Sequence, residues 1–192
     1  GTGKTFAYLV PALLSGKRVL ISTGTKTLQD QLYNRDLPTV LAALGVGMQA
    51  ALLKGRSNYV CHHHLARNLA DGRFARRQDV AVLHRIDRFA SISRTGDRAE
   101  APGIAEDAPA WVHATSTRDN CLGQDCEYLD KCFVLQARRR ALQADVVVIN
   151  HHLFCADLAL RDDGVSELLP KADLMIFDEA HHARNSGTST SA

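Results

Sequence analysis

Helix and strand patterns alternate at both ends of this 192-residue chain, and the alternation predicts an α/β fold with a parallel sheet and crossover helices. The middle breaks the rhythm. Residues 56–132 hold four of the five cysteines and five of the nine histidines, which predicts an α/β domain interrupted by an inserted segment of different character. Composition supports a packed domain, since 45% of residues are hydrophobic and 23% charged, which excludes disorder and collagen. The longest apolar runs, such as Val146, Val147, Val148 and Ile149, are strand length rather than the roughly 18–20 residues of a membrane span. No membrane partner is expected.

Phe6, Leu9, Val10, Leu13 and Leu14 share one face at helical spacing over residues 4–15, and Gly16 supplies the stop. Pro11 removes one backbone donor and crowds the turn before it, which allows a bend. Residues 18–22 read as a short buried strand, and residues 25–32 as a helix capped by Thr25. Residues 36–44 form a further helical stretch, with Pro38 near its start and Gly45 at its end. Residues 49–53 make a second strand. Within the insert, Leu83, Ile86, Phe89 and Ala90 keep helical spacing, whereas residues 91–116, with Gly96, Pro102, Gly103 and Pro109, read as a long irregular region. A loop of that length predicts a subdomain or a mobile segment. The α/β order resumes with a helix over 133–144, a strand over 145–149, a helix over 151–160 and a strand over 174–177. The Ser- and Thr-rich end has no packing face and reads as disordered.

The net charge of +2 conceals polarity: +5 over residues 1–60, +3 over 61–100, −5 over 101–130 and −1 over 131–192. The chain opens on Gly1 rather than methionine and so reads as a piece of a longer polypeptide. Five cysteines are an odd count in a chain long enough to fold without staples, so reduced thiols fit better than a secreted disulfide framework.

Gly1-Thr2-Gly3-Lys4-Thr5, followed by an apolar helix, matches the second half of the phosphate-binding pattern G-x-x-x-x-G-K-[ST]. Glycines let backbone N–H groups approach phosphate oxygens, Lys4 reaches the β and γ phosphates, and the Thr5 hydroxyl faces Mg²⁺. The competing reading is a flexible terminus capping a helix. At the other end, an apolar strand delivers Asp178 and then Glu179. That order puts one carboxylate at Mg²⁺ and the next beside the attacking water, as hydrolysis of a nucleoside triphosphate requires. A surface acid pair is the plainer reading, but the two half-signals reinforce each other.

Cys61, Cys121, Cys126 and Cys132 form the third constellation, in which three closely spaced ligands are joined by one remote one. Thiolate tetrads hold zinc or an iron–sulfur cluster, and spacing alone leaves both open, with unligated core cysteines as the plain alternative. Cys155 lies apart on an apolar helix and reads as a small buried hydrophobe. His62, His63 and His64 read as surface residues on a short helix. Lys26, Arg56 and the run Arg138, Arg139 and Arg140 are candidates for tracking DNA phosphates, although the run also reads as a solvated helix face. Tyr59 and Phe133 have the character to stack on bases, with core packing the more frequent role.

These motifs resemble, in order and over residues 1–182, the superfamily 2 DNA helicases of the XPD and DinG type, most closely the bacterial DinG and YoaA branch. Residues 1–5 look like motif I, residues 22–32 (Ser-Thr-Gly-Thr-Lys-Thr-Leu-Gln-Asp-Gln-Leu) like motif Ia, and Asp178-Glu179-Ala180-His181 like the DEAH box. Lys54-Gly55-Arg56-Ser57-Asn58-Tyr59-Val60-Cys61 resembles the lead to the first cluster ligand, and Val148-Ile149-Asn150-His151-His152-Leu153 the strand and turn after the cluster domain. The resemblance implies a partial RecA-like P-loop domain over 1–55 and 133–182, a [4Fe–4S] insert over 56–132 and a disordered tail over 183–192. It also implies ATP and Mg²⁺, 5′ to 3′ movement on single-stranded DNA, forked or duplex DNA as substrate, and a bacterial cytoplasmic, nucleoid-associated setting. The glycine opening motif I, the motifs beyond the DEAH box and the second RecA-like domain are missing from the sequence. A non-motor, metal-stabilised module that binds single-stranded DNA is the alternative function.

Overall fold

The computed structural model describes residues 2–72, 77–162 and 169–179. Gly1, Ala180, His181 and the tail over 183–192 lie outside the described residues, as do the side chains of Thr2, Arg77 and Gln78. The chain divides into two compact units, one formed by Gly1–Lys54 with Arg138–Ala192 and the other by Gly55–Ala137.

The first unit is α/β. Its four strands are β1 (Val19–Thr23), β2 (Ala50–Leu52), β3 (Val146–Asn150) and β4 (Leu174–Phe177), in the order β2-β3-β1-β4. Every pairing is parallel, as the alternation predicted. The central strands β1 and β3 are buried at every position, which explains the apolar runs Val19–Ile21 and Val146–Ile149 that open them: a parallel strand covered on both faces has no solvent-facing side. The edge strand β4 instead alternates half-buried and exposed residues. Helix α1 (Thr2–Leu14) lays Leu9 and Leu13 into the core with Val19, Ile21, Val146 and Val148. It runs through Pro11 without breaking.

Helix α2 (Lys26–Gln31) begins where expected, with the Thr25 side chain accepting the N–H of Leu28 at 3.2 Å. Its far end differs from the expected break between two helices. A π-helical turn, Leu32–Asp36, carries α2 directly into α3 (Leu37–Leu44) without an intervening loop. Gly45 then ends α3 with φ of +63°, the left-handed conformation that glycine adopts at least cost. Gln29 is fully buried, and its amide donates to the carbonyls of Leu53 at 2.9 Å and Val148 at 3.2 Å, so it fastens α2 to the carboxyl ends of the neighbouring strands. The Lys54 ammonium lies 2.7 Å from Asp30 of α2. In sequence, β3 lies between two further helices, one over Phe133–Gln143 and one over His151–Asp162.

The second unit is helical and irregular. It contains α4 (His62–Asp71), α5 (Arg77–Ile92) and several single 3₁₀ turns; the helices on either side of β3 are accordingly α6 (Phe133–Gln143) and α7 (His151–Asp162). Leu83 and Ile86 of α5 are fully buried, as the helical spacing required. Residues 91–116 have little regular structure, but they do not form an open loop: Ala101, Ala110, Trp111 and Ala114 are buried, and the Trp111 indole donates to the Ala105 carbonyl at 2.8 Å. Helical periodicity misses such packing because 3₁₀ turns of three to five residues are too short to set a repeat.

Candidate nucleotide site and cysteine cluster

Gly3, Lys4 and Thr5 occupy the first turn of α1, where backbone N–H groups lack intrahelical partners and the helix dipole favours anions. The Lys4 side chain is exposed and Thr5 half-buried. In the β1–β4 ladder Ser22 pairs with Phe177, and the next N–H, that of Asp178, donates to the Ser22 carbonyl at 2.9 Å. Asp178 therefore emerges at the carboxyl end of the sheet, where ligands of open α/β folds bind.

One contact joins the two motifs: the Tyr8 hydroxyl donates to Asp178 Oδ2 at 3.1 Å. Burial first, and then the negative charge of Asp178, pushes the Tyr8 phenol well above its ordinary value, while a hydrogen bond with Thr5 pulls slightly the other way. Tyr8 thus stays protonated and able to donate. It lies one helical turn after Thr5 and touches the two residues expected at Mg²⁺. Sequence reasoning missed it; the signal present was the i, i+3 spacing that puts Thr5 and Tyr8 on one face of α1. Glu179 comes next in an unusual state, half-buried with φ of +56°, a backbone conformation uncommon outside glycine.

In the second unit Cys61, Cys121, Cys126 and Cys132 are half-buried free thiols. Cys61 precedes α4, and its N–H donates to the Ala114 carbonyl at 2.7 Å. Cys126 and Cys132 each terminate a 3₁₀ turn. The Arg56 guanidinium donates to Cys121 Sγ at 2.9 Å, and the Gly123 N–H approaches the same sulfur at 3.4 Å. Burial pushes the Cys61 thiol up, backbone N–H groups of His64 and His63 and the Ser116 side chain oppose that, and the charge of Cys126 adds to it. Among the described residues no group of three or more His, Cys, Asp or Glu side chains is arranged to hold a metal ion.

The remaining candidates divide by burial. Tyr59 and Phe133 are 3% and 4% exposed, so both are core residues and neither presents a face to a base. His62 is not a surface residue: its ring lies 4.9 Å from Phe133 and 6.1 Å from Tyr128, and burial pulls its pKa down. Cys155 is half-buried rather than buried. Lys26 and Arg138 are half-buried, while Arg139 and Arg140 are exposed on α6, Arg139 opposite the buried Ala137 and Ala141 and Arg140 at the flank of that face. Among the described residues no helix is long and apolar enough to cross a membrane.

No family model matches the chain. It is 50% identical over 181 residues to the ATP-dependent DNA helicase YoaA of Haemophilus influenzae and 51% identical over 181 residues to that of Escherichia coli, with 94% of this chain and 28% of each relative covered. The ATP-dependent helicase DinG of Mycobacterium tuberculosis is 36% identical over 215 aligned residues, covering all of this chain and 32% of that protein. The chain is thus a homologue of the YoaA and DinG ATP-dependent helicases, and it spans about a third or less of their length.

Proposed function

We propose that this chain is part of the first motor domain of an ATP-dependent DNA helicase. The observation that carries the reading is the bond from Tyr8 to Asp178, which brings the phosphate-loop helix and the DEAH carboxylate to one end of a parallel sheet. In this reading the free N–H groups of α1 and the Lys4 ammonium bind the β and γ phosphates. Thr5 and Asp178 hold Mg²⁺, with Gly1, Thr2 and Gly3 completing the loop. Mg²⁺ supplies neutralisation of charge developing on the transferred phosphoryl group. Glu179 orients the attacking water and takes its proton. A second RecA-like domain elsewhere in the whole protein closes the nucleotide site.

The donor types of the second unit, rather than their arrangement, suit a soft metal group: four free thiols, one of them already receiving a charged donor and a backbone N–H, as thiolates bound to a cluster do. Cys61, Cys121, Cys126 and Cys132 would hold a [4Fe–4S] cluster, favoured over zinc by the resemblance to iron–sulfur helicases. When bound there, such a cluster would tie these turns together through the four thiolates. Residues 56–132 are accordingly the cluster insert between the two parts of the motor domain, 1–55 and 133–182. Single-stranded or forked DNA is the substrate, moved 5′ to 3′, with Lys26, Arg138, Arg139 and Arg140 as phosphate contacts and a bacterial cytoplasmic, nucleoid-associated setting.

DNA-stimulated ATP hydrolysis by the full-length protein tests this reading. Stimulated turnover that Lys4→Ala abolishes is expected, because the lost charge neutralises phosphates in the transition state. Binding of single-stranded DNA with no ATP hydrolysis would contradict it and favour the non-motor module.

A further inference from the structure

Ser22 is 1% exposed in β1, and its Oγ lies 2.7 Å from Nδ1 of His151, which is 2% exposed at the first position of α7. The other ring nitrogen, Nε2, lies 3.4 Å from the carbonyl oxygen of Glu179. A carbonyl oxygen only accepts, so Nε2 donates to Glu179, and Nδ1 makes the second bond, with the Ser22 hydroxyl. One hydrogen-bond chain therefore runs from Ser22 through His151 to Glu179. It ties together the carboxyl ends of β1, β3 and β4.

A serine bonded to a histidine invites comparison with a nucleophile and its base, but a nucleophile must reach its substrate. Burial of both side chains excludes that role. The chain ends instead on the one described non-glycine residue with positive φ, Glu179 at +56°. Such a conformation persists only where its surroundings hold it. His151 is well placed to do so, because its ring also packs on Phe177, with centroids 6.1 Å apart, two residues before Glu179.

We propose that His151 is a positioning residue for ATP hydrolysis: held by Ser22, it fixes the main chain of Glu179 in the left-handed conformation and so aims the Glu179 carboxylate at the attacking water. The proposal rests on the helicase reading and on Glu179 as the water-orienting residue. Small misplacements of a catalytic group are costly, since about 1 Å reduces rate on the order of 10²-fold.

The test uses the full-length protein. Parental DNA-stimulated ATPase is measured first, and its absence would sink the helicase reading whatever the variants do. Given that activity, His151→Leu, which removes both hydrogen bonds, is expected to lower kcat by at least about tenfold, with KM for ATP within about twofold of the parent. The stoichiometry of binding a fluorescent ADP analogue should stay unchanged, which separates misalignment from loss of folded enzyme. His151→Gln keeps a donor for the Glu179 carbonyl and a hydrogen-bond partner for Ser22, so it should recover most of the loss. Ser22→Ala should lower kcat by roughly threefold, as the ring loses one of its two anchors. The proposal is overturned if His151→Leu retains kcat within twofold, if its loss matches a fall in nucleotide stoichiometry, or if glutamine is no better than leucine. Should the leucine variant fail to fold, Ser22→Ala with parental kcat and full nucleotide stoichiometry would overturn it.

Discussion

Replacing Gly96 by alanine should loosen the second unit more than any comparable glycine substitution, and the local geometry sets the magnitude. Gly96 has φ of +64°, and a Cβ there would lie 2.2, 2.3 and 2.7 Å from Cδ2, Cγ and Cε2 of Phe133. Neither side yields easily. The Gly96 N–H donates to Ser93 Oγ at 2.8 Å, its carbonyl accepts the Val60 N–H at 2.9 Å, and the Phe133 ring is buried beside His62. The left-handed conformation costs a non-glycine residue about 1–2 kcal/mol, and overpacking adds about 1–3 kcal/mol, so Gly96→Ala should destabilise by about 2–5 kcal/mol. Gly72 provides the control, because its φ is +62° but nothing lies within 4 Å of its would-be Cβ. Gly72→Ala should show only the first cost. Hydrogen exchange on the full-length protein reads both, at the Val60 N–H and at the Cys61 N–H bonded to Ala114. A loss of about 2 kcal/mol corresponds to roughly 30-fold less protection. Because Phe133 adjoins Cys132 in sequence, iron retention should fall as well. Equal protection in the two variants would refute the packing argument.

The nucleotide, cysteine and DNA sites each carry a further expected outcome. Tyr8→Phe removes the donor to Asp178 and should raise the Mg²⁺ concentration needed for half-maximal nucleotide binding by about tenfold, within the range for a partner of a metal ligand; unchanged Mg²⁺ dependence would confine Tyr8 to packing. Serine at Cys61, Cys121, Cys126 or Cys132 should each remove iron and brown visible absorbance after anaerobic purification, whereas Cys155→Ser should not, and stoichiometric zinc without iron would remove the cluster. Replacing Arg138, Arg139 and Arg140 together should reduce the slope of log K for single-stranded DNA against log salt by about 0.7 for each phosphate no longer neutralised, and an unchanged slope would return the run to a solvated helix face.

What the sequence disclosed and what it hid have distinct physical origins. Strands β1 and β3 were readable because burial on both faces favours apolar runs, here Val19–Ile21 and Val146–Ile149, and α2 because Thr25 is a good helix cap. The proposed nucleotide motifs stood out in the sequence because phosphate and Mg²⁺ chemistry restricts which residue types can stand at each position. The relations that assemble the site did not. Tyr8 and Asp178 are 170 positions apart, and Ser22 and His151 are 129 apart, so no local pattern connects them; the parallel register of β1 with β3 brings Ser22 to His151, and the packing of α1 on the sheet brings Tyr8 to Asp178. The bond from Arg56 to Cys121 was hidden for a related reason, since a basic residue in a positively charged segment has the same sequence signature whether it meets a phosphate or a sulfur. The π-helical turn at Leu32–Asp36 left no trace because its residues suit an α-helix equally well.

The claim that Asp178 and Glu179 form a hydrolytic site is tested most directly by Glu179→Gln in the full-length protein, with ATP binding and DNA-stimulated turnover measured on the same preparation. The amide keeps the shape of the side chain and loses the base, so ATP should bind with an affinity within about twofold of the parent while turnover falls by on the order of 10²-fold or more. Turnover at the parental rate would contradict the assignment of Glu179 and with it the account of the site.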